Sequence, residues 1–212
     1  MRRVFFILGL LFLAACWLGP LPHLARHSFA AHMGMHMGVV AVAAPFLALG
    51  LAGSASDPVR RWPRWFPPIP LSLVELVVVW AWHTPALHHA ARHSALGFAA
   101  EQGAFLLAGL LVWLSAFGGG LVRRRERLAA GVTALLLTSM HMTLLGALLA
   151  LTPRVLYGHG GGHLTSLTPL EDQHLGGAIM LVVGGIAYLA GGLWLTAPLV
   201  RDAVKKRKAV RG

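Results

Sequence analysis

Long apolar runs, parted by short breaks rich in either arginine or histidine, dominate this chain. They cover roughly residues 4–18, 30–51, 71–83, 96–117, 128–151 and 174–199. A membrane-spanning helix needs about 20 predominantly apolar residues. The pattern therefore predicts an all-α, polytopic membrane helix bundle of about six transmembrane segments. The first run is short and follows Met1-Arg2-Arg3. It reads either as a first spanning helix or as a signal peptide, which would leave five segments. Leu13-Ala14-Ala15-Cys16 resembles a bacterial lipobox, and the alternative is an uncleaved helix with a buried thiol. The third run is expected to continue to Ala91 past a kink at Pro85. The segment between the second and third runs carries Pro58, Pro63, Pro67, Pro68 and Pro70 among Asp57, Arg60, Arg61 and Arg64, and reads as a stiff connector. The chain thus divides into a signal-like or first transmembrane segment (1–19), a helix bundle (20–200) and a basic tail (201–212).

Charge orients the bundle. With the N-terminus inside, the inner segments hold Arg2, Arg3, Arg60, Arg61, Arg64, four arginines within 123–127 and six basic residues in the tail. That is fifteen of the eighteen Lys and Arg; Arg26, Arg92 and Arg154 alone fall outside. Cytoplasmic loops carry such an excess, which sets the orientation and puts both termini inside unless the first segment is cleaved. All twelve histidines then fall on the outer side or in the outer parts of the helices.

Composition narrows the function classes. With 57% hydrophobic residues and a mean hydropathy of +0.68, the chain leaves no room for a separate soluble catalytic domain. The net charge of +11 does not indicate nucleic acid, because the basic residues sit in short clusters between apolar runs. A single cysteine, Cys16, excludes an internal disulfide and any multi-cysteine metal site. The chain has no His-Glu-x-x-His, Gly-x-Ser-x-Gly, Walker loop or dinucleotide fingerprint, so an enzyme is not expected.

The chemistry lies in the histidines. In His32-Met33-Gly34-Met35-His36-Met37, His32 and His36 are one helical turn apart and share a face. Met33, His36 and Met37 share another. Imidazole with thioether is a soft donor set that suits copper, Cu(I) especially; the methionines serve equally well as a packing stripe. Met140-His141-Met142 places a second histidine inside a helix, where a buried polar group is costly and marks a functional site or an interhelical hydrogen bond. His83, in Trp82-His83-Thr84-Pro85, reads as a ligand or an interfacial residue. His88, His89 and His93 read as an exposed loop cluster that captures metal loosely or does nothing, and His159 and His163, with three glycines between them, read the same way. Glu101 and Asp172 can ligate, orient a ligand histidine, or cap a helix. Glu75, at the inner end of the third run, is expected to snorkel or pair with an arginine.

One family resemblance follows from an ordered set of motifs: His32–Met37 with Ala44-Pro45 after it, Trp82-His83-Thr84-Pro85, Glu101 before Phe105 and Trp113, His141 before Gly146, Leu156-Tyr157, and Asp172-Gln173 with Gly176-Gly177-Ala178-Ile179-Met180. The set resembles the CtaG-type cytochrome c oxidase assembly proteins of bacteria over roughly residues 30–195. The resemblance implies a multi-pass membrane assembly factor whose partners are membrane lipid and subunits of a haem–copper cytochrome c oxidase, which it serves by handling copper. Two departures stand out: Gln102 occupies a position where a histidine is expected, and the apolar segments number six where fuller members carry seven. The ligand set this reading favours is His32, His36, His83 and His141, with Met33, Met37, Glu101 and Asp172 as further candidates. Two rival readings are a b-type cytochrome using two of these histidines as haem ligands and a metal-free assembly scaffold.

Overall fold

A computed structural model describes residues 1–120, 124–158 and 167–211, with side chains to residue 201. His159, His163 and Arg123 lie outside the described residues. All regular secondary structure among the described residues is helical, with no strand. The helices are α1 (Arg2–Leu18), α2 (Leu21–Ala25), α3 (Phe29–Met37), α4 (Ala44–Leu51), α5 (Pro58–Arg61), α6 (Pro68–Trp82), α7 (Pro85–His93), α8 (Ala95–Phe117), α9 (Arg124–Leu151) and α10 (Pro169–Arg211). The protein is an all-α membrane bundle. Four helical stretches are long and apolar enough to span a bilayer: Phe29–Leu51, Ala95–Phe117, Arg124–Leu151 and Pro169–Arg201. The pair α6 and α7, bent by 71° at the break, passes the same test only when taken together, as a broken span or a re-entrant pair. With 17 residues, α1 reaches about 26 Å at 1.5 Å per residue, slightly short of the ~30 Å hydrocarbon core.

The lipid-facing sides follow helical periodicity. On α9, Leu136, Met140, Leu144, Leu148 and Leu151 are exposed at successive turns; on α10, Val182, Ile186, Leu189 and Leu193 are. Bundle helices cannot use the hydrophobic effect against one another in lipid, so close packing of small residues does the work. A Cβ on Gly177 would stand 2.4 Å from the Ala150 nitrogen, and one on Gly146 would stand 2.9 Å from the Leu181 nitrogen. Bare glycines thus let the backbones of α9 and α10 touch. The same device joins α1 to α4, where Gly9 faces the Leu47 backbone and Gly50 faces Phe6. Cys16 is buried against Gly38.

The second span is not one regular helix. Residues Gly38–Ala43 between α3 and α4 form a π-helical stretch. The Val40 carbonyl within it accepts a 2.9 Å hydrogen bond from Trp113 Nε1 of α8, and Gly109 of α8 allows the close approach to Val40. Trp113 in turn stacks on Tyr188 of α10, with ring centroids 5.0 Å apart.

Glu75 departs from expectation. It neither snorkels nor pairs with an arginine; it is fully buried, and its carboxylate accepts hydrogen bonds from Thr138 Oγ1 (3.1 Å) and Tyr188 OH (3.0 Å). These two hydroxyls, from α9 and α10, satisfy a group that would otherwise be costly in the bundle.

Candidate metal centre

At the histidine-bearing end, α3, α6, α7 and α8 converge on a column of imidazoles. His32 and His36 project from one face of α3, as their four-residue spacing dictates. His83 caps α6. Its Nδ1 lies 2.6 Å from the Val79 carbonyl, a contact in which the nitrogen donates. In the neutral ring this leaves the lone pair on Nε2, which is buried with no hydrogen-bond partner among the described residues. Pro85 then opens a new helix after a sharp bend, in line with the expected continuation past a kink at Pro85. On α7 the inward positions are His88 and Ala91, while His89 and His93 point out and stack on each other at 4.0 Å. The expectation of an exposed His88–His93 loop cluster is therefore corrected: α7 is a regular helix, and it buries His88 while leaving His89 and His93 in the open.

The ring centroids run His88 to His32 at 4.7 Å, His32 to His83 at 6.4 Å, and His83 to His36 at 5.2 Å. Glu101 meets the upper end of this column. Its Oε1 is 3.6 Å from His32 Nε2 and 3.8 Å from His88 Nδ1. The ligand atoms of His32, His88 and Glu101 all lie within 4.8 Å of one another, and the three residues are 1%, 2% and 1% exposed. Glu101 Oε1, His32 Nε2 and both ring nitrogens of His36 have no hydrogen-bond partner among the described residues. Buried polar atoms are nearly always paired, so these orphans single out the column as the candidate site. Phe105 closes the lower end, 4.0 Å from the His36 ring.

The roof is a loop clipped in place by α10. Gln173, fully buried, accepts from the Leu156 nitrogen at 2.7 Å and donates to the Arg154 carbonyl at 3.1 Å. This seats Tyr157, which stacks on Phe29 at 4.2 Å, meets the His88 ring at 4.6 Å, and donates its hydroxyl to the His83 carbonyl at 2.6 Å. Burial pushes the Tyr157 phenol above its usual range, so it stays a donor. Beside this roof a cavity of about 670 Å3, lined by Arg26, His88, His89, Arg92, His93 and Tyr157 among others, leads in from the surface. Arg92 NH1 comes within 3.5 Å of His88 Nε2. A second, mainly apolar cavity of about 500 Å3 reaches His83 and Tyr157 between leucines of α9.

The remaining candidates occupy other settings. Asp172 holds the start of α3: its carboxylate accepts from Ser28 Oγ (2.6 Å), the Phe29 nitrogen (2.6 Å) and the Ala30 nitrogen (3.3 Å). A carboxylate is favoured there by the positive helix end. Met33 and Met37 are buried toward α10, facing Gly176 and Gly184. His141 is buried on α9 beside Met142, with Met140 turned out at 68% exposure. Both His141 nitrogens lack a hydrogen-bond partner, and no ring contact joins it to the imidazole column among the described residues. Gln102, where a histidine was expected, is buried; its Nε2 donates to Glu101 Oε2 at 3.4 Å and its Oε1 accepts from Trp17 Nε1 at 3.3 Å. It ties α1 to the carboxylate. His88 is the one site residue that sequence reasoning set aside, and the available signal was its three-residue spacing to Ala91 after a helix-opening Thr84-Pro85.

Compared with known families, the sequence matches the model described as "cytochrome c oxidase caa3 assembly factor" over residues 1–202. No curated protein and no solved structure gave a match.

Proposed function

Because the chain belongs to the cytochrome c oxidase caa3 assembly factor family, we propose that it promotes oxidase maturation by holding copper, as cargo, among His32, His88 and Glu101. The observation carrying this reading is the convergence of three buried ligand atoms within 4.8 Å, drawn from three different helices. Imidazole nitrogen and carboxylate oxygen are the donors, a set that takes Cu(II) more readily than thioether sites do. The sequence argument for Cu(I) rested on Met33 and Met37, whose described contacts are with α10.

His83 and His36 offer a second pair of imidazoles directly below, with open nitrogens. Copper entering through the cavity beside His88 passes to His32 and Glu101, and then along the column or out to an oxidase subunit by ligand exchange. Glu101 neutralises the incoming charge, while Gln102 and the Tyr157 roof keep the ligands in register. The concentration of arginine at the opposite end of the helices supports an outward, periplasmic position for this centre in a bacterial inner membrane.

The haem alternative needs a flat slot between two facing imidazoles. The His36 ring is instead packed on Phe105 and His83, and the His88 ring on His32 and Tyr157. A metal-free scaffold gives no reason for orphaned buried nitrogens around a buried carboxylate. In cells lacking the native protein, His32→Ala or His88→Ala is expected to leave oxidase subunits present but poor in copper, and His89→Ala to restore normal oxidase. Full copper content with His32→Ala and His88→Ala would refute the proposal.

A further inference from the structure

The opposite end of the bundle holds a second built site, independent of the copper reading. A cavity of about 280 Å3 is lined by Gly118, Gly119, Gly120, Arg124, Arg127 and Pro198, among others. A groove of about 250 Å3 lies beside it, lined by Pro45, Phe46, Trp113, Ala187, Ala190 and Gly191. Leu49, Phe117 and Trp194 line both, so the two form one continuous cleft among α4, α8, α9 and α10. One end is polar and basic; the other is almost wholly apolar.

The basic end is held firmly. Asp57, buried on the preceding connector, accepts from the Gly119 nitrogen (2.8 Å), the Gly53 nitrogen (2.7 Å) and the Val59 nitrogen (2.9 Å). Gly119 adopts a φ of +96°, which a side chain would strain. Arg127 donates to the Gly120 carbonyl through one guanidinium nitrogen, while its Nε is buried without a hydrogen-bond partner among the described residues. Glu126 lines the adjoining cavity rather than this one. The lining of this cleft among the described residues therefore includes two arginines, one with an unused donor, and no acidic residue.

We infer that this cleft binds one anionic phospholipid, its phosphate headgroup at Arg124 and Arg127 and an acyl chain in the Pro45–Trp113–Ala190 groove. Basic pockets between transmembrane helices on the cytoplasmic side suit such headgroups. A free phosphate has no use for the apolar groove, and a zwitterionic lipid leaves the second arginine uncompensated. The ligand that matches both ends carries net negative charge and a hydrocarbon tail.

The test is lipid retention after reconstitution into vesicles of equimolar phosphatidylglycerol and phosphatidylcholine, re-extraction in mild detergent, and native mass spectrometry. The wild type is expected to keep phosphatidylglycerol several-fold over phosphatidylcholine. Arg124→Ala/Arg127→Ala should bring that ratio to about one, and Arg124→Lys/Arg127→Lys should preserve it. Ala190→Trp, at an exposed groove position, should lower retention with both arginines intact, and it carries the test if the double alanine variant fails to fold. Equal retention of the two lipids by the wild type overturns the inference. So does displacement of the lipid by inorganic phosphate together with no effect of Ala190→Trp.

Discussion

Glu101 of α8 stands 3.6 Å from His32 of α3, both all but sealed from solvent, with the facing atoms His32 Nε2 and Glu101 Oε1 each lacking a hydrogen-bond partner among the described residues. On the proposed copper reading, these two facing atoms share one metal ion. Removing the carboxylate's charge while keeping its shape isolates that role. Glu101→Gln is expected to weaken copper binding by at least tenfold, measured by competition with a calibrated chelator, with the thermal midpoint little changed.

The two faces of α7 separate the proposed buried ligand His88 from the exposed His89 and His93. His88→Ala should cost most of the bound copper, whereas His89→Ala and His93→Ala should cost none, because their rings stack outside the column. Copper-binding isotherms of the three variants provide the check. Equal losses from all three would restore the picture of an exposed capture cluster.

Sulfur is dispensable if Met33 and Met37 serve α10 packing. Met33→Leu/Met37→Leu keeps volume and apolar character, at a cost below about 1.5 kcal/mol per site. Copper stoichiometry of this variant should equal that of the wild type, and X-ray absorption on the loaded protein should show nitrogen and oxygen scatterers without a sulfur shell.

How far the chain announces itself differs between fold and site. Helix positions were readable because a bilayer demands long apolar runs: residues 96–117 and 128–151 match α8 and α9 almost to the residue at their far ends. His32 and His36 were readable because a four-residue spacing fixes a shared helical face. His88 was not, because its burial depends on the 71° turn between α6 and α7, which folds a polar, histidine-rich stretch back over the bundle. Glu75 was misread for a related reason: a carboxylate near an arginine-rich end suggests an ion pair, and only the packing of α9 and α10 brings Thr138 and Tyr188 to it. Asp172 carried three legible roles, and its three hydrogen bonds to the start of α3 occupy its carboxylate.

That occupancy makes Asp172 a stability probe distinct from the proposed copper ligands. Asp172→Ala leaves Ser28 and two backbone N–H groups without their charged acceptor, and losing such a cap costs about 1–2 kcal/mol. The thermal midpoint in detergent should fall by several degrees, while copper stoichiometry measured well below that midpoint should remain near wild type. A loss of copper with an unchanged midpoint would instead make Asp172 a ligand.

The backbone contact between α9 and α10 should tolerate no side chain. Gly177→Ala places a methyl group 2.4 Å from the Ala150 nitrogen, so the helices must separate. An overpacking penalty of about 1–3 kcal/mol is expected, read as a lower midpoint and as easier proteolysis of the 152–158 segment that carries Tyr157.

The most direct measurement is elemental analysis of copper in anaerobically purified protein, wild type against His32→Ala/Glu101→Gln, after loading and removal of loosely held metal. The account predicts retained copper in the wild type and near-background copper in a folded double variant. Equal copper in the two proteins would contradict it.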